Sequence, residues 1–127
     1  MAFEGALQAL VGVSASADLS AKQFLVMKIS GVATVTVCAG VTDKPCGILQ
    51  DAPASGSPAN VAFSGVSKAV AGGTVTAGDT VGTDANGKVV TYVEGTDTTK
   101  YRVGRALTSG AANEVISVQL MLGGRLA

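Results

Sequence analysis

The chain has 127 residues, nine basic and nine acidic side chains that cancel to a net charge of zero, and no histidine. Hydrophobic residues make up 47% of it but aromatics only 4%, with no tryptophan and 17 glycines. This balance excludes a basic field for nucleic acid and removes the histidine-based nucleophile pairs and proton shuttles of common enzymes.

At this length one domain is the default. The apolar content is mostly Val and Ala, small and β-branched side chains that suit pleated strands. A core without large aromatic side chains leaves burial for partner subunits to supply, so an oligomer is expected. No segment approaches the roughly 20 apolar residues of a membrane-spanning helix, so no membrane partner is expected. The opening MAFEGALQALVGV lacks a basic leader and is interrupted by Glu4, so no secretory signal is expected. The expectation is a soluble protein synthesised in a cytoplasm.

In chain order, residues 1–16 read as an N-terminal arm, ordered by a partner, and residues 17–127 as a single β-rich domain. Within the arm Phe3, Leu7, Leu10 and Val11 fall on one face of a helix, weakened by Gly5 and Gly12. These four are the candidate contact residues. A polar stretch from Ser14 to Lys22 reads as loop. QFLVMKI from Gln23 then alternates, with Leu25, Met27 and Ile29 on a wholly apolar side. VATVTVCA from Val32 also alternates, and Ser30-Gly31 between the two predicts a hairpin. CGILQ from Cys46 follows a turn at Asp43-Lys44-Pro45, and DAPASGSPA from Asp51 is a loop rich in Pro, Gly and Ser.

NVAFSG from Asn60 and VSKAVAG from Val66 read as two short strands. GGTV from Gly72 leads into a turn at Gly78-Asp79, and TVGT from Thr80 is a further strand. Asn86-Gly87 predicts a type I′ hairpin, with positive φ at both positions, returning through KVVTYV from Lys88. A polar loop over 94–100 precedes YRVGRAL from Tyr101. After a turn at SGAAN, EVISVQLML from Glu114 is the most regular strand, with Ile116, Val118, Leu120 and Leu122 facing one way. The tail over 123–127 is expected to be loose. The sum is an all-β barrel or sandwich of about eight to ten short, mostly antiparallel strands.

Little here carries chemistry. Asp79 and Asp84 flank one strand, and Asp43 and Asp51 another, as an acid pair could. Each sits in a turn context, where aspartate is favoured for bonding nearby backbone amides. Gly78, Asp79, Asn86 and Gly87 are therefore read as structural corners. Cys38 and Cys46 leave free thiols, a disulfide or half of a metal site open, and with no histidine and no third cysteine a zinc site is nearly excluded. Lys100, Arg102 and Arg105 form the densest basic cluster and read as a solvated or inter-subunit face. AGDTV followed by GKVV is similar to biotinyl and lipoyl carrier domains, but Lys88 lacks the methionine neighbour of their carrier lysine. No catalytic, cofactor or metal residues are expected.

Four segments in order resemble tailed-phage capsid decoration (cement) proteins. They are ADLSAKQFLVMKISG from Ala17, KPCGILQDAPASG from Lys44, VAFSGVSKAVAGGTVTAGDTVGTDANGKVV from Val61 and VGRAL from Val103. PCGIL departs from that family's usual Pro-Ile-Gly-Val at Cys46, and residues before Ala17 are poorly covered. The resemblance implies a non-enzymatic protein on the outer surface of the virion's capsid. It implies the major capsid protein as partner, bridging of its subunits, and a homotrimer. A virion-displayed carbohydrate-binding or adhesin-like β module is the alternative, short of aromatics because only Phe3, Phe24, Phe63, Tyr92 and Tyr101 are available.

Overall fold

A computed structural model describes residues 2–93, 96 and 100–122. They form ten strands: β1 (Gly5–Ala9), β2 (Ser14–Ala15), β3 (Val26–Gly31), β4 (Thr34–Val37), β5 (Pro45–Leu49), β6 (Val61–Val70), β7 (Thr80–Thr83), β8 (Val89–Thr91), β9 (Arg102–Ala106) and β10 (Val115–Leu120). All ten join one sheet in the order β2-β4-β3-β5-β6-β10-β9-β7-β8, with β1 attached to β6. Only the short β2–β4 pair is parallel. The β7–β8 end returns to the other strands. Ala71, just past β6, bridges Val89, and the Val26 amide donates to the Gly87 carbonyl at 2.7 Å. The sheet thereby curls on itself like a barrel, which hides most of its edge.

Strand alternation feeds two cores. Val26, Ile48, Ala62, Ala69 and Ala71 enter a cluster with Val81, Val89, Val103, Ile116 and Val118. Their sequence neighbours Leu25, Met27, Leu49 and Val61 enter a second, with Val70 packed against it and Leu19, Ala15 and Ala59 as its cover. Successive side chains point to opposite faces, so β3, β5 and β6 are buried on both sides. Almost every member is Val, Ala, Leu or Ile, and close approach of small side chains stands in for aromatic bulk.

Several expectations need correction. The arm is not helical: residues 5–9 form β1, antiparallel to β6 with Gly5 opposite Val66 and Ala9 opposite Ala62. A short glycine-containing helix is marginal in water, whereas β6 offers unpaired backbone groups along its edge. The first hairpin turns at Val32-Ala33, two residues past Ser30-Gly31, with Ala33 at φ 54°. NVAFSG and VSKAVAG are one ten-residue strand, β6, with Gly65 at φ 97° in the middle of it. Gly87 has φ 76° but Asn86 is not in the left-handed region, so the β7–β8 turn is not type I′. The Asp84 amide donates to the Lys88 carbonyl at 2.8 Å, closing a three-residue loop whose last residue is the left-handed glycine. The expected loop over 94–100 falls mostly, and the tail over 123–127 wholly, outside the described residues.

Candidate interaction surface

The arm is latched to the body at two places. Ser117 on β10 is fully buried although it points away from the apolar row of its strand. Its hydroxyl accepts from the Phe3 amide and donates to the Phe3 carbonyl at 2.8 Å. A buried hydroxyl with both capacities used holds the arm over β10 at little desolvation cost. On β6, the strand next to β10, Ala6 lies across Gly65. A Cβ on Gly65 would sit 2.3 Å from the Ala6 carbonyl oxygen, so only glycine allows this crossing. Val66 pairs with both Gly5 and Gln119, and Ala62 with both Ala9 and Ile48.

With the backbone held, the side chains of the arm face outward. Every residue of β1 is exposed. Phe3 is 48% exposed and Leu7 is exposed as well. Phe63 on β6 and Val115 on β10 add apolar surface on the strands that carry the arm. Leu107, also exposed, donates its amide to the Ser117 carbonyl at 2.8 Å and so lies beside the latch. Leu10 differs from its predicted companions: half-buried, it packs against the second core, and its amide donates to the Val61 carbonyl at 2.8 Å. Val11, at 96%, is almost free in the turn after β1. Three of the four predicted contact residues are thus available at the surface, and the fourth anchors the arm.

The polar candidates are engaged within the protein. Asp79 accepts from the Thr76 amide at 3.0 Å and the Thr91 hydroxyl at 3.1 Å. Asp84 accepts from the Asn86 and Lys88 amides at 2.8 and 2.9 Å. Asp51 accepts from the Asn60 amide at 3.3 Å. Asp43 takes the Lys28 ammonium at 2.8 Å and the Ala39 and Gly40 amides at 2.8 and 3.1 Å. That hydrogen bond from Lys28, then the one from Ala39, holds the Asp43 carboxyl below its usual range, and the same pair raises Lys28. The basic cluster is split: Arg102 donates to the Met121 carbonyl and Arg105 to the Gly78 carbonyl, each at 3.2 Å. Among the aromatics, Tyr92 is buried and Phe24 lies beneath the Lys68 ammonium, 5.9 Å from it.

Both cysteines are free. Cys38 joins the first core and Cys46 packs against the second. Burial pushes Cys38 up to about 12 and Cys46 up to about 11. Among the described residues no group of three His, Cys, Asp or Glu could hold a metal, and no helix is long and apolar enough to cross a membrane. Ser117 was illegible as a functional residue, because a serine on the outward face of a strand carries no signal until the arm is seen above it.

An all-β body that spends its carboxylates on its own loops and presents apolar side chains from a latched arm has the build of a structural contact protein. The model of the phage cement protein family matches residues 5–122, and the chain belongs to that family. As a member it is a capsid-associated bacteriophage protein. The match takes in β1, which the resembling segments left out. In fold the chain is similar to the crystal structure of the head fiber gp8.5 N base in bacteriophage phi29. The TM-score is 0.69 over 91% of this chain and 94% of that chain, at 12% identity. No curated protein matches the chain.

Proposed function

We propose that the protein is a non-enzymatic cement protein that binds the outer surface of the head and bridges neighbouring major capsid protein subunits. It acts as a homotrimer, with the N-terminal strand as an arm on the β-rich body. The observation that carries this reading is the arm itself: a strand fixed by its backbone at Ser117 and Gly65, with Phe3 and Leu7 left outside. Backbone anchoring fixes the arm's ordering entropy before any partner arrives, so apolar contact translates into affinity. Three copies acting together gain avidity where the lattice matches their spacing.

The test mixes purified protein with undecorated heads and follows co-sedimentation, with light scattering for the mass of the free protein. Saturable binding is expected for the wild type, and a Phe3→Asp, Leu7→Asp double variant that remains folded is expected to lose it. A wild type that never associates with heads, or a double variant that binds like it, overturns the reading.

A further inference from the structure

Where the segment entering β3, the end of β6, the β7–β8 loop and the turn before β10 meet, the surface opens into a pocket of about 420 Å³. Lys22 and Lys88 line it together with the Asn86 and Asn113 carboxamides, over apolar surface from Leu25 and Val70. No acidic side chain lines it. The acids nearest in sequence are turned onto their own loops: Asp84 holds the Asn86 and Lys88 amides, and Glu114 holds the Ala111 amide at 2.6 Å. The one ion pair among the described residues, Lys28–Asp43, involves neither pocket lysine. Lys22 therefore has no anionic partner within the described residues. Lys88 reaches only a neutral one, donating to the Asn113 Oδ1 at 2.6 Å. That bond uses the carbonyl side of Asn113 and leaves its NH₂ as a further donor.

The pocket thus combines two ammonium groups and amide donors with no carboxylate in its lining, and the nearby Asp84 carboxylate is turned onto the backbone amides of its own loop. Such a site selects an anion. Its apolar floor selects one carried on a short aliphatic stem. No arginine lines it, so the planar fork that best matches a phosphate is missing. We propose that this pocket receives an acidic side chain, glutamate or aspartate, from a neighbouring protein of the head. The carboxylate seats between Lys22 and Lys88, and its methylenes lie on Leu25 and Val70. The identity of the neighbour rests on the cement reading above; the chemistry of the pocket does not.

The test uses isotope-labelled full-length protein, following backbone amide signals during titration with the peptide Gly-Glu-Gly-Glu-Gly. Its Gln counterpart and sodium acetate serve as the other arms. The Glu peptide should shift Lys22, Asn86, Lys88 and Asn113 saturably, and the Gln peptide should not. Lys22 is exposed on a loop, so Lys22→Glu should stay folded and bind the peptide about tenfold more weakly or worse, as reversal of a contact charge does. Lys88→Met provides a second variant without a new charge. Both should weaken binding to undecorated heads, while Phe3→Asp leaves the peptide shifts intact. Absence of shifts, equal shifts with the Gln peptide, acetate binding as tightly as the Glu peptide, or unchanged affinity in Lys22→Glu each overturn the proposal. Peptide shifts that persist in a protein unable to bind heads defeat the cement reading and leave the pocket standing.

Discussion

Gly65 occupies the point where the arm crosses β6, at φ 97° and with the Ala6 carbonyl oxygen where a side chain would begin. A side chain there must displace either strand, and the left-handed backbone adds about 1 kcal/mol of its own. Gly65→Ala is expected to free residues 3–9 while the cores persist. Amide exchange should accelerate in β1 and stay slow in β3 and β10. Equal protection of β1 in both proteins would show that the crossing tolerates a methyl group. The cysteines make a second residue-scale case. Their thiols should resist a disulfide-exchange reagent at pH 8 in the native protein and react fully in denaturant, because the reactive thiolate is suppressed by burial. A raised thiol pKa means that the folded chain keeps a proton the unfolded chain loses above its ordinary 9.0. This contribution to stability is whole below that pH and drains away as pH climbs toward about 12. Denaturation midpoints that hold constant through pH 9 to 11 would contradict it.

At the scale of elements, Asp43 organises the loop between β4 and β5. Its carboxylate gathers the Lys28 ammonium and two backbone amides. The pair lies at the surface, so the ion pair itself contributes little, and the amide bonds contribute most of the about 1 kcal/mol expected to be lost in Asp43→Asn. The folded pKa is depressed, so the contribution is present above the ordinary carboxylate range and disappears as pH falls through the lowered value. Lys28, raised, keeps its share until pH exceeds the ordinary 10.5. Exchange rates in 39–45 should therefore be indifferent to pH from 5 to 9 once intrinsic rates are removed, and rise below about 4. Loosening already at pH 6 would argue against this account. Strands such as β10 and β3 were readable because alternation of Ile116, Val118 and Leu120, or of Leu25 and Met27, survives any tertiary context. The arm was misread because Phe3, Leu7 and Leu10 satisfy helical spacing while their actual partner, the edge of β6, lies more than fifty residues away. Gly65 looked like a strand boundary for the same reason: its purpose is a contact with Ala6, which no local pattern encodes. The lysine pocket was equally hidden, since it draws on four separate segments.

For the whole molecule, the question is where the body ends and the arm begins. Leu10 and Val13 pack against the second core, Ala15 is buried within it, and the Ala59 amide donates to the Val13 carbonyl at 3.0 Å. No described residue before Leu10 belongs to either cluster. Removing residues 2–9 therefore leaves both cores whole, but it strips β6 of one strand partner and uncovers the Ser117 hydroxyl. Water can satisfy both, so the cost is the latch and the strand pairing, about 1–3 kcal/mol, and cooperative unfolding should persist. Extending the deletion through Val13 should cost more, because it opens a void beneath β2. The shorter truncation also bares an unpaired strand edge, so it should self-associate as concentration rises. Under the cement reading it should lose most of its affinity for heads, since Phe3 and Leu7 go with it. Calorimetry on both truncations, with sedimentation against undecorated heads, separates these effects. If the truncation of residues 2–9 fails to fold, the arm is part of the core; if it binds heads undiminished, the contact surface lies elsewhere on the body.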